Sequence, residues 1–395
     1  MKTGVNKRGE SHDTVFEESF TGVFLASDPD MLFAKSFSQI SAVIPRAARQ
    51  TDNTVGDLCK SFERLVGRGT QKSMQPEKDK QASFFDLAIQ QRGGANRVLE
   101  TIAREVDFSS AEQCVAKTYH QGGRPGCRVG LLLRIMILQH LYGLSDPQAE
   151  EQLKDRLSFQ KFVQLGTDES VPDETTICRF RQRLIECGLH EQLLGLLNQQ
   201  LDERGYIVKQ TTLVDATLIE SSRKRPDVEA AKQGVAPDAQ ASYTRKYGCS
   251  HYGYKAHISS DGAHQLIRTA LISTAKVVDQ QMFARVAPVN SRQIYADKTY
   301  DTKANQAWLR ERNIQSGILK KGAHHIKLSP QDHQDNRLKG RVRQQIERIF
   351  AHFKQWQFYR RVRYLGLAKN QLELTLKAVA YNLKRLANII EAQKA

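Results

Sequence analysis

Among the 43 acidic residues of this chain, three carboxylates are set apart by where they fall. Asp215 interrupts Thr211-Thr212-Leu213-Val214-Asp215-Ala216-Thr217-Leu218-Ile219, a stretch whose β-branched residues otherwise suit a central strand. A carboxylate there is costly unless it is paired or bound to a cation. Asp297 closes the short run Gln293-Ile294-Tyr295-Ala296, and Glu347 sits beside the apolar stripe of Ile346 and Phe350. Hard oxygen donors without His or Cys suit Mg²⁺, with Mn²⁺ as a substitute, rather than zinc. Two such ions roughly 4 Å apart can activate a water or a 3′-hydroxyl and stabilise the leaving oxygen of an in-line phosphoryl transfer, with no protein nucleophile.

The elements that must position these residues change character near Leu201. Upstream, Leu87, Ile89, Val98, Leu99, Ile102 and Val106 recur at helical spacing, and Val129 to Tyr142 reads as a helix buried on most sides. Ser145-Asp146-Pro147-Gln148 is a capped helix start. Pro172-Asp173-Glu174-Thr175-Thr176 is another, opening a helix expected to carry Arg179, Arg181 and Arg183 near its exposed surface. Helix, turn and basic helix resemble a helix-turn-helix, with a solvated charged face as the alternative. Downstream, Ser260-Asp261-Gly262 joins two strands in a hairpin, the polar stretch Ser221 to Ser250 reads as a long mobile loop, and Ala304 to Arg312 reads as a helix followed by a strand over Ile314 to Leu319. Three antiparallel strands followed by strand, helix, strand and helix is the element order of an RNase H-like α/β fold, a mixed sheet flanked by helices. The first and fourth strands of that fold are neighbours, which would set Asp215 beside Asp297 with Glu347 above them.

The formal charge of +16 makes a polyanion the expected partner, since basic surface gains counterion-release free energy on nucleic acid. No apolar run reaches the roughly 20 residues of a membrane-spanning helix, and the N-terminus lacks a secretory h-region, so a cytoplasmic protein is expected. The six cysteines are scattered without a C-x-x-C pair, so reduced thiols are expected. His324-His325 lacks a spaced third ligand and reads as an exposed loop. From Arg337 to Arg363 Glu347 is the sole acid among many basic residues, interleaved with Trp356, Phe358 and Tyr359, which either stack on bases or fill the core.

At these residues the chain, from about Met74 to Ala395, resembles transposases of the insertion-sequence-five family. Val214-Asp215-Ala216-Thr217 is similar to that family's first catalytic strand, His251-Tyr252-Gly253-Tyr254-Lys255-Ala256-His257 to its following hairpin strand, and Ala296-Asp297-Lys298-Thr299-Tyr300-Asp301 to its second catalytic turn. Arg343, Glu347 and Lys354 fit its Arg, Glu, Lys signature, and on one helix they would differ by only about 40° and 20° in azimuth, hence share a face. Gly340 stands where the wider signature has Tyr, and Thr299 where the second turn usually has Gly.

The resemblance implies a helical DNA-binding domain over 74–205, using Arg179, Arg181 and Arg183, and an RNase H-like DDE catalytic domain over 206–395. Asp215, Asp297 and Glu347 would be its catalytic metal ligands, with Lys298, Arg343 and Lys354 on DNA phosphates. Residues 1–73 have no counterpart and read as a weakly ordered extension. The implied partners are the element's terminal repeats and target DNA, bound by a homodimer or larger assembly on the bacterial nucleoid. A catalytically inactive DNA-binding regulator and a metal-dependent nuclease are the alternatives.

Overall fold

Strand β1 (Thr211–Glu220) is the axis of a six-stranded mixed sheet in the computed structural model, which describes residues 96–116, 127–166, 169–223, 237–246, 248–322 and 327–394. It pairs antiparallel with β3 (Cys249–Asp261) and parallel with β5 (Gln293–Tyr295). Beyond β3 lie β2 (Ser242–Lys246) and β4 (Ile267–Thr274), both antiparallel to it, and β6 (Gln315–Ser316) runs parallel to β5. Gly253 lets β3 approach β1 closely: a Cβ there would stand 2.3 Å from the Ile219 carbonyl oxygen.

Seven helices precede the sheet among the described residues: α1 (Arg97–Glu105), α2 (Ser109–Ala116), α3 (Val129–Tyr142), α4 (Asp146–Asp155), α5 (Leu157–Val163), α6 (Glu174–Glu186) and α7 (Leu189–Glu203). The caps are those the sequence signals. Ser145 and Gln148 form a reciprocal capping box at α4, and the Asp173 side chain accepts from the Thr176 amide at α6. Short α8 (Phe283–Val286), α9 (Lys303–Glu311), α10 (Pro330–Arg343) and α11 (Ile346–Gln355) follow, and α12 (Leu367–Lys394) ends the chain.

Helix α12, about 42 Å long at 1.5 Å per residue, is buried along most of its length and packs on α1, α3, α7 and β4. Its polar side chains complete the backbone pairing of β4. The Ile267 amide donates to Asn382, the Ile272 amide donates to Gln371, and the Gln371 side-chain amide donates to the Ala270 carbonyl. Asn198 of α7 donates to the Ile267 and Arg268 carbonyls and accepts from Asn382. An edge strand that would otherwise leave its hydrogen-bonding groups open is thereby closed by two helices. The described residues belong to one compact unit in which the upstream helices and the sheet share a core through α12.

Three expectations change. The stretch read as a loop from Ser221 to Ser250 contains β2, and buried Asp238 anchors its approach by accepting from Tyr254, Ser221 and, through its backbone carbonyl, Tyr252. The single helix expected to carry Arg343, Glu347 and Lys354 is broken at Gln344–Gln345 into α10 and α11. The strand expected over Ile314 to Leu319 pairs only at Gln315–Ser316. Residues 1–73, Leu87, Ile89 and His324-His325 lie outside the described residues. Among the described residues no helix is long and apolar enough to cross a membrane, and Cys114, Cys178, Cys187 and Cys249 are free thiols.

Candidate active site

The register of β1 and β5 decides where the first two carboxylates fall. Leu213 pairs with Tyr295, and Asp215 and Asp297 each lie two residues further along parallel neighbours. Strands in a sheet are about 4.8 Å apart and side chains alternate with period two, so Asp297, just past the end of β5, falls beside the middle of β1 on the side that carries Asp215. Asp297 starts the 3₁₀ turn Lys298–Tyr300, with its carboxylate free of any capping hydrogen bond to that turn. The Asp215 side chain is only 20% exposed, and burial pushes its pKa up to about 6, against the counter-effects of the Ala216 amide and Arg343 and with help from the charges of Asp297 and Asp279. Tyr300 is buried below, its pKa raised by desolvation and then by Asp215, Asp279 and Asp297. These groups occupy one electrostatic neighbourhood.

Arg343 joins this pair to Glu347. Its Nη1 lies 2.7 Å from Asp215 Oδ2 and its Nη2 lies 2.9 Å from Glu347 Oε1. The i, i+4 contact survives the break between α10 and α11 because Gln344 and Gln345 keep right-handed helical backbone angles. Glu347 itself is 59% exposed in the first turn of α11. Among the described residues no three His, Cys, Asp or Glu side chains close around a point as a metal cage would. A guanidinium instead spans the gap that the expected convergence of Asp215 and Glu347 would have filled.

Two nearby groups escaped the sequence reading. Asp279 belongs to a 3₁₀ turn after β4 and pairs with Lys255 at 2.9 Å. His257 on β3 is buried against the Ser273 hydroxyl at 2.8 Å, and desolvation lowers its pKa to about 4 despite the charge of Asp279. Asp279 carries no local signal, because only the fold brings the end of β4 to β1. His257 and Lys255 lie in the strand segment already singled out from the sequence.

The basic residues divide. Arg179 is exposed on α6 and Arg183 half-buried. Arg181, expected near the surface, is 6% exposed, bonded through both terminal nitrogens to Asp146 and stacked over Tyr364 with its Cζ 5.1 Å from the ring centroid. The alternation of three arginines at i, i+2 and i+4 cannot face one way on a helix, and the middle one turns inward to fix the start of α4. Lys298 is exposed beside Asp297. Lys354 is half-buried, its pKa lowered by desolvation and by the charges of Lys246 and Arg360. Tyr359 fills the core, whereas Trp356 and Phe358 do not.

Residues 87–183 match the family model of a transposase domain (DUF772), and residues 207–383 match that of the transposase DDE domain. A cryo-EM structure of a piggyBac transposase synaptic complex with hairpin DNA aligns at 7% identity over 77% of this chain and 76% of that one, at a TM-score of 0.34. That overlap is too loose to bear on the fold. The second match contains Asp215, Asp297 and Glu347 and ends within α12; the first contains α1 to α5 and most of α6. The chain carries a transposase domain followed by a transposase DDE domain.

Proposed function

We propose that this protein binds the terminal inverted repeats of an insertion sequence of the five family, cleaves to free 3′-hydroxyl ends and joins those ends to target DNA. The observation that carries this reading is the shared register of Asp215 and Asp297 on parallel neighbours, with Glu347 tied to Asp215 through Arg343. An RNase H-like arrangement of residues 206–395 is consistent with the antiparallel β1, β3, β4 and the parallel β5, β6. Residues 74–205 are assigned to DNA binding, through Arg179 and Arg183 on α6. Arg181 acts there as a positioning residue for α4 and α6.

Asp215, Asp297 and Glu347 are all hard oxygen donors and fit Mg²⁺ or Mn²⁺. Such ions, when bound, supply activation of the attacking oxygen and stabilisation of the leaving one. Asp215 is desolvated and so gains most from a nearby cation, a need that Arg343 meets in this state. Arg343 is freed to meet a DNA phosphate once that need is met otherwise. Lys298, exposed beside Asp297, and Lys354 on the helix that carries Glu347 place two further cations where the scissile strand would run. Two copies on paired ends would complete the reaction.

Incubating the protein with the DNA that flanks its own gene and Mg²⁺, then sequencing ends and products, tests this. Nicks at the terminal repeats together with joined target products are expected. Nicks without joined products would make the protein a nuclease, and neither would make it a DNA-binding regulator.

A further inference from the structure

The turn after α11 holds two aromatic side chains away from the protein. Trp356 is 69% exposed and Phe358 is 73% exposed, while Gln357 and Tyr359 beside them are buried. The buried pair acts as an anchor. The Gln357 side-chain amide donates to the Lys377 carbonyl and the Gln357 backbone carbonyl accepts from Lys377 Nζ at 2.9 Å, and the Tyr359 amide donates to the Phe353 carbonyl at 2.8 Å. Phe358 has φ of +53°, a left-handed conformation that bulky side chains rarely adopt. Burial cannot be what holds Phe358 in that conformation, because most of its ring is exposed and only one edge approaches Gly143. The backbone is fixed from both sides so that rings 356 and 358 stand out.

The turn carries cations on both sides in sequence, and one lies over the Trp356 ring. Lys384 Nζ lies 5.9 Å from the Trp356 ring centroid, and Lys354, two residues before Trp356, is close enough to Arg360 and Lys246 to feel their charge. Arg360 and Arg361 follow the turn directly, and the nearby Glu220 is engaged by Arg361 at 3.2 Å. The Arg360 carbonyl accepts from the Glu220 amide, which places the turn at the far end of β1, five residues or about 17 Å along the strand from Asp215. A polyanion that carries flat, stackable faces matches both the charge and the rings.

We propose that Trp356 and Phe358 form a stacking platform for unpaired DNA bases, flanked by Lys354, Arg360 and Lys384 on the adjoining phosphates. The platform rests on the reading that this chain binds DNA but needs no metal, so it can be tested apart from cleavage. The chain has two tryptophans, so Trp308→Phe leaves Trp356 as its sole tryptophan reporter.

In EDTA, the full-length Trp308→Phe protein is titrated with a duplex bearing a short unpaired tail and with a blunt duplex of equal length. The tailed duplex is expected to quench Trp356 emission and the blunt one to leave it nearly unchanged. In the parent, Phe358→Ala and Trp356→Ala should each weaken tailed-duplex binding on the order of tenfold while leaving blunt-duplex affinity within about twofold. Trp356→Phe should retain most of the affinity, which separates stacking from loss of fold. Equal quenching by both duplexes, or equal loss of both affinities, would reduce the turn to a basic surface and overturn the proposal. A Trp356 signal that follows protein concentration without DNA would overturn it in favour of contact with a second copy. Selective binding of the tailed duplex by a protein that never cleaves would leave the platform standing and remove the catalytic reading alone.

Discussion

Asp215 is the residue on which charge, burial and chemistry meet. Its carboxyl titrates at about 6 in the fold against an ordinary 3.8, so between those values the folded protein binds more protons than the unfolded one. The contribution of Asp215 to stability therefore falls as pH rises from about 4 to about 6, and above that the folded protein carries the full cost of a desolvated carboxylate. Asp215→Asn should raise metal-free stability at pH 8 by up to about 3 kcal/mol, and the gain should vanish near pH 4, as read by denaturant melts at both pH values. A divalent cation must displace the same proton, so Mn²⁺ affinity measured calorimetrically should drop by about tenfold per pH unit below 6. Affinity flat from pH 5 to 8 would remove Asp215 from the ligand set. Arg343 adds a second expectation: Arg343→Met opens the space between Asp215 and Glu347, so DNA-free Mn²⁺ binding should tighten while single-turnover cleavage slows. Weaker Mn²⁺ binding in that variant would mean that Arg343 builds the site and is not the cation that stands in it.

At the scale of elements, the sheet is held in register by close approaches that a methyl group would spoil. Gly253→Ala would press a Cβ on the Ile219 carbonyl and Ser221 amide, and a loss of about 1–3 kcal/mol in thermal or denaturant unfolding is expected, with β1 displaced and cleavage impaired. Unchanged stability would show that β3 can shift at no cost. Strand β1, the β3–β4 hairpin and the caps of α4 and α6 were legible because each carries a local signature: β-branched runs, Asp261-Gly262, Ser145 with Gln148, Asp173. Strand β2 was not, since Ser242–Lys246 is polar and exposed and becomes a strand only by pairing with β3. The break between α10 and α11 was also hidden. Helical periodicity continues through Gln344 and Gln345, and the i, i+4 pair of Arg343 and Glu347 is made across the break. Among the residues of the proposed sites, the two aspartates and Glu347 stand out by position in the sequence, whereas Asp279 needed the fold and the outward turn of Trp356 needed the buried anchors at Gln357 and Tyr359.

Across the described residues, the sheet and the upstream helices are not independently packed. Helix α12 closes both, and Arg181, Asp146 and Tyr364 lie where α4 and α6 meet the chain that returns from α11. Arg181→Met leaves the partly exposed Asp146 with only the Gln139 amide as partner, so a loss of about 1–3 kcal/mol in stability is expected with little change in the ratio of terminal-repeat to random-DNA affinity. Arg179→Ala should do the opposite, lowering that ratio at unchanged stability, because base-edge contacts contribute roughly 1–3 kcal/mol of discrimination each. If Arg181→Met lowered the ratio and Arg179→Ala did not, the inward and outward roles would be reversed. The central claim is that Asp215, Asp297 and Glu347 act as one metal-dependent centre for DNA cleavage and joining. Single-turnover cleavage by Asp297→Ala, on the DNA flanking the gene and beside a matched binding titration, tests it most directly. Binding within a few-fold of the parent with cleavage abolished in Mg²⁺ and Mn²⁺ is the result the claim requires, and full Mg²⁺-dependent cleavage by Asp297→Ala would contradict it.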